Sequence, residues 1–213
     1  MTHTHHRHGT AESLMGDWVV QLLVVKGVND QDANAKYQEF LRLSLKYEPV
    51  NGGTSHIGSA LTLGWEKLIA EVGKAYVANI MVVFDSPEKV AKFLVDLEKA
   101  ELGISVIVSG LHAETDKICH EVGIKRHTVQ HSLGIWGKRD LLPDPKIVEI
   151  STMCGHGMIP FNLVKSMSQR VHRGDISLER ASEELSKPCI CGIFNTNRAR
   201  ALITEYISAT SDN

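Results

Sequence analysis

At 213 residues, with 43% hydrophobic and 23% charged side chains, the chain is apolar enough to bury a sizeable core, which excludes a disordered segment. Its 23 basic and 25 acidic residues nearly cancel, to a formal charge of -2, leaving no electrostatic footprint for nucleic acid or an anionic membrane. No apolar run approaches the ~20 residues that span a bilayer and the N-terminus lacks the apolar core of a signal peptide, so a cytoplasmic protein with reduced cysteines is expected.

Residues 1 to 16 read as an N-terminal arm. Its first eight residues, Met-Thr-His-Thr-His-His-Arg-His, hold four of the eleven histidines. Such a run is either a tag-like tail or an arm that delivers His6 or His8 to a metal site.

Residues 17 to 140 predict an α/β domain. Asp17 to Lys26 is a nearly continuous, β-branched apolar run, as in a strand covered on both faces. A helix follows to about Tyr47 and stops before Pro49. Asn51 to Gly64 is rich in small residues and reads as a surface loop, with an anion-holding backbone nest as the alternative. Tyr76 to Phe84 is a strand, and Asp85-Ser86-Pro87-Glu88 then opens a helix whose Val90, Phe93, Leu94 and Leu97 form one apolar face. Ile104 to Ser109 and His127 to Leu133 read as two more strands, with a helix from Gly110-Leu111-His112 between them. This alternation predicts a mainly parallel sheet of at least four strands; a ferredoxin-like α+β arrangement is the alternative.

Residues 141 to 213 carry no strand signal and predict an all-helical subdomain. Pro145, Pro160 and Ser177 start three of its helices, and the fourth begins near Asn195 or Thr196.

Three of the four cysteines fall in this last part, in two short motifs. One is Cys154-Gly155-His156-Gly157 and the other Cys189-Ile190-Cys191-Gly192. Thiolate and imidazole at close spacing, each motif followed by a turn-permitting glycine, are the ligands that zinc, iron and iron–sulfur clusters select. Cys154, His156, Cys189 and Cys191 would complete a tetrahedral zinc site. The three cysteines alone would hold a 4Fe-4S cluster with one iron open or bound by His156. The two differ in spacing: neighbouring ligand sulfurs lie roughly 6 to 7 Å apart around a four-iron cluster, and ~3.7 Å apart around one tetrahedral zinc with Zn–S bonds of ~2.3 Å.

His112 and His131 fall at the predicted C-terminal rim of the sheet, where open α/β sheets bind ligands, and join His156 as candidate acid–base groups. Cys119, mid-helix, reads as packing. Lys138, Arg139 and Arg198 read as solvated charge, with an anionic substrate as the alternative. No nucleophile elbow, Walker loop, dinucleotide glycine run or His-Glu-x-x-His is present. The expectation is a cytoplasmic metalloenzyme acting on a small molecule, the competing one a non-catalytic module with structural zinc or redox-sensing thiols.

Overall fold

The computed structural model describes residues 7 to 211, so the arm's His3, His5 and His6 lie outside it. A short helix α1 (Ala11–Leu14) leads into β1 (Trp18–Leu23) and α2 (Ala33–Leu45). The chain continues through β2 (Asn51–Thr54), β3 (Gly58–Ser59), α3 (Ala60–Leu63) and α4 (Trp65–Val72) to β4 (Asn79–Phe84). Then come α5 (Pro87–Lys99), β5 (Ser105–Ser109), α6 (His112–Glu121), α7 (Pro145–Thr152), α8 (Phe161–His172), α9 (Leu178–Ser186) and α10 (Thr196–Ser211). No described helix is long and apolar enough to cross a membrane.

The five strands form one sheet in the order β3-β2-β4-β1-β5, and every neighbouring pair is antiparallel. The expected mainly parallel sheet is therefore corrected. β1 and β2 do run in the same direction, but β4 lies between them; β4 and β5 run together, but β1 lies between them. Two strand–helix–strand units thus interleave, the split βαβ arrangement. The apolar run of β1 marks burial on both faces, not parallel neighbours: Trp18, Val19, Val20 and Leu22 are fully buried and Gln21 is 2% exposed.

Each face of the sheet has its own core. Val20, Leu22, Ile80, Val82 and Phe84 pack against α2, α4 and α5. Ser86 caps α5, its hydroxyl accepting from the Lys89 N–H at 3.3 Å, and Pro87 sits in the first turn. The predicted stripe of that helix faces the sheet, with none of Val90, Phe93, Leu94 and Leu97 more than 5% exposed. The Phe93 ring lies 5.3 Å from that of Phe40 and 5.2 Å from that of Phe84. Burial of each such side chain contributes about 1.5–3 kcal/mol. On the opposite face Val19, Met81 and Val83 meet the helices α7 to α10.

Two local expectations also change. Asn51 to Thr54 is a buried strand rather than a surface loop. Its glycines answer to close approach: a Cβ on Gly52 would meet the Trp65 ring at 2.8 Å and the Met81 carbonyl at 2.9 Å. Residues 127 to 133 form no strand; they are exposed, and alternation without a covering layer does not hold a strand in place.

Candidate metal centre

The two cysteine motifs occupy the ends of helices that converge on the sheet. Asp144 caps α7, accepting from the Lys146 N–H at 2.8 Å, and the helix closes at Thr152. Cys154-Gly155-His156-Gly157 then turns back, with both glycines at positive φ, 71° and 68°. At the other motif the Cys189 N–H donates to the Ser186 carbonyl at 3.0 Å and the Gly192 N–H to the Cys189 carbonyl at 3.1 Å, so the chain winds tightly between α9 and α10. Gly192 has φ 75°, and a Cβ there would collide with the Gly52 carbonyl and lie 2.8 Å from the Gly53 nitrogen. The glycine pair of β2, Gly52-Gly53, is the seat on which this motif rests; Asn51 secures it, its Nδ2 donating to the Phe194 carbonyl at 3.2 Å. Gly192→Ala is expected to lose at least about 2 kcal/mol in urea denaturation, from the φ penalty and the collision together; an unchanged midpoint would show that β2 and the motif are not in contact.

Four side chains meet here. The sulfurs of Cys189 and Cys191 are 3.8 Å apart, and Cys191 Sγ is 3.8 Å from His156 Nδ1. The Cys154 thiol neighbours that of Cys189, and each shifts the other's hold on its proton. The three sulfurs are at most 1% exposed, whereas His156 faces solvent. The side chains form a chain of contacts: among the described residues no three His, Cys, Asp or Glu groups surround one point as a finished ligand shell.

The environment sorts the thiols. Cys154 is pushed far up, first by its hydrogen bond with Cys189 and then by burial. At Cys189 the bond to Cys154 pulls down, but the bond to Cys191 and burial outweigh it and push the thiol up to about 12. Cys191 is held below its ordinary value by the hydrogen bond from Cys189, against burial, with help from the Ile193 N–H and the positive Arg7. Backbone N–H groups of His156 and Met158 also point at Cys154. Donors aimed at sulfur favour thiolate, the form that binds metal.

Behind the sulfurs lies a buried charge cluster. Asp17, fully buried, accepts from Arg7 Nε at 2.6 Å and Arg198 Nη1 at 2.9 Å. Arg198 Nη2 reaches Glu149 at 3.2 Å and donates to the His8 carbonyl at 2.8 Å, and Arg198 Nε donates to Ser13 Oγ at 3.0 Å. Arg7 Nη2 donates to the Ile193 carbonyl, so the residue whose N–H serves the sulfurs is clamped from its other side. The arm is docked from Arg7 onward: the His8 N–H donates to Thr152 Oγ1 at 3.0 Å. Gly9 permits this, since a Cβ there would lie 2.8 Å from Glu149 Oε2.

By residue type Arg198 reads as solvated charge, and residue type alone does not mark Arg7, Asp17 or Glu149 as a buried partner. One signal was present: Glu149 interrupts Ile147-Val148 and Ile150, and Asp17 stands against an apolar strand, where an acid needs a buried partner.

His112 and His131 form a separate pair. Their rings are 4.1 Å apart and both residues are exposed. They gather where β5 enters α6, and β5 is three strand spacings, roughly 14 Å, from β2, which seats the Cys189–Gly192 motif. Cys119 is buried in α6, and burial pushes its thiol up. Beside Gly155 and Gly157 opens a cleft of about 280 Å³, lined mostly by apolar groups including Ile135, Leu142, Val148, Ile159 and Phe161. Comparison with family models, curated proteins and solved structures finds no match to this chain.

Proposed function

We propose that this chain is a cytoplasmic metalloprotein that holds one tetrahedral ion, zinc by preference, through Cys154, Cys189, Cys191 and His156. The 3.8 Å spacing of the Cys189 and Cys191 sulfurs carries the reading. It is close to the ~3.7 Å edge of a tetrahedral zinc thiolate site. A four-iron cluster would need these sulfurs to separate to roughly 6 to 7 Å, against the tight turn that Gly192 seats on β2. Three thiolates and one imidazole suit zinc and also accept iron. Four protein ligands leave no open position, so the ion's role in this reading is to tie α7 and the α9–α10 connection to the sheet.

One observation favours a second reading, an enzyme. His156 is the only exposed member of the four, it stands between two positive-φ glycines, and the apolar cleft adjoins it. If His156 yielded its place to substrate or water, the ion would supply Lewis-acid polarisation to an oxygen of a small molecule held in that cleft.

Metal analysis of protein purified anaerobically tests both. About one zinc per chain in colourless protein is expected, with loss in a Cys191→Ser variant. Brown protein holding about four irons overturns the zinc reading in favour of the cluster. Protein that takes up neither metal on reconstitution overturns the metalloprotein itself. A His156→Ala variant that keeps its ion and gains an exchangeable water supports the enzyme; one that loses the ion supports the closed site.

A further inference from the structure

We infer that β5 is a self-association edge and that two copies of this chain join their sheets through it. The inference is independent of the metal centre. The sheet has two edges, and only one is protected. β3, at one edge, is two residues long, too short to template another strand. β5, at the other, spans five residues, pairs only with β1, and offers its outer side no other backbone hydrogen bond among the described residues. The usual protections are missing: from Leu102 to Ala113 there is no Lys, Arg, Asp, Glu or Pro. Val106 is 38% exposed on this edge. A short, uncharged, β-branched segment left open invites pairing with another strand.

Its sequence says which strand. Ser105-Val106-Ile107-Val108-Ser109 is the same read in either direction. Two copies laid antiparallel about a twofold axis through Ile107 place Ile107 against Ile107, Val106 against Val108 and Ser105 against Ser109. Every cross-strand pair is then β-branched on β-branched or hydroxyl on hydroxyl, the pairs that stabilise an antiparallel ladder. The contact is isologous and closes on itself, so it gives a dimer and not a fibre. The product is a ten-strand sheet, with the cysteine motifs on β2 far from the joint.

Sedimentation of the wild-type chain is expected to show a dimer, and Val106→Lys, a charge placed on the edge, a folded monomer. The register is tested by cysteines. Ile107→Cys lies on the axis, with Cβ atoms about 4.5–5.5 Å apart, and mild diamide oxidation should link two chains through a disulfide. Ser105→Cys, offset from its own copy by four residues, should not link, because its Cα atoms exceed the ~7 Å limit for a bridge. A monomeric wild-type chain overturns the inference, as does a dimer in which Ser105→Cys links and Ile107→Cys does not. A dimer that survives Val106→Lys with no link at Ile107→Cys assigns association to another surface and overturns it too.

Discussion

If the proposed centre holds an ion, replacing Cys189 by serine is expected to strip it from the protein and melt the helical layer before the sheet. Serine offers a poor ligand in place of thiolate, and the remaining three groups no longer close a tetrahedron. In small zinc folds the ion contributes about 10–16 kcal/mol, while a whole domain is stable by only about 5–15 kcal/mol. Even a fraction of that contribution decides whether α7, α9 and α10 stay docked. The apolar core on that face takes three buried strand residues, Val19, Met81 and Val83, whereas the opposite core takes six, Trp18, Val20, Leu22, Ile80, Val82 and Phe84. A loss of about 4 kcal/mol would lower the melting temperature by roughly 8–16 °C at this chain length. Hydrogen exchange should then show amides of residues 145 to 152 and 196 to 206 opening while those of β1 and β4 stay protected. Cys119→Ser, in α6, serves as the control and should keep its metal. A Cys189→Ser protein with full metal content and unchanged melting would sink the proposed centre.

Arg198→Ala is expected to be nearly as damaging, for a different reason. Its guanidinium, 3% exposed, neutralises two buried carboxylates at once. Removing it leaves Glu149 with Ser13 and a distant Lys146 at 3.6 Å. Truncating one partner of a buried charge network costs about 3–5 kcal/mol, because the surviving charges are stranded in low dielectric. The midpoint of urea unfolding should fall accordingly. The arm should also come loose, since Arg198 holds the His8 carbonyl, and limited trypsin digestion after Arg7 should accelerate. Arg198→Ala combined with Glu149→Gln should recover part of the loss by removing one stranded charge. A single variant within about 1 kcal/mol of wild type would show that the cluster does not carry this load.

What was legible in the chain follows from which forces act locally. The α5 stripe was plain because helix period and burial coincide over Val90, Phe93, Leu94 and Leu97. β1 was plain because two-sided burial demands a continuous apolar run. Neighbour order in the sheet was not: both βαβ units exist, but their interleaving depends on pairings between strands some sixty residues apart, such as Val19 with Val83. β2 was hidden because Asn-Gly-Gly-Thr has almost no strand propensity, and its place is set by Trp65 and the Cys-Ile-Cys-Gly turn pressing on it. The cysteines and His156 stand in two short motifs of like spacing, and the structure brings Cys189, Cys191 and His156 within reach of one another. Arg7, Asp17, Glu149 and Arg198 could not be grouped from the sequence, because a charged side chain is read as solvated until its partner is known.

The docked arm also constrains the order of events as the chain is made. Arg7 bonds to a carbonyl 186 positions later and the His8 carbonyl to a side chain 190 positions later. At a synthesis rate of about 5–20 residues per second, roughly 10 to 40 s separate the appearance of the arm from that of its anchors. For most of that interval the arm can hold only Asp17, ten residues on, and its other partners do not yet exist. The arm's contacts to the Ile193 carbonyl and Arg198 can form only once that late segment exists. Docking of residues 7 to 9 is therefore a terminal event, a latch that reports that the whole molecule has been assembled.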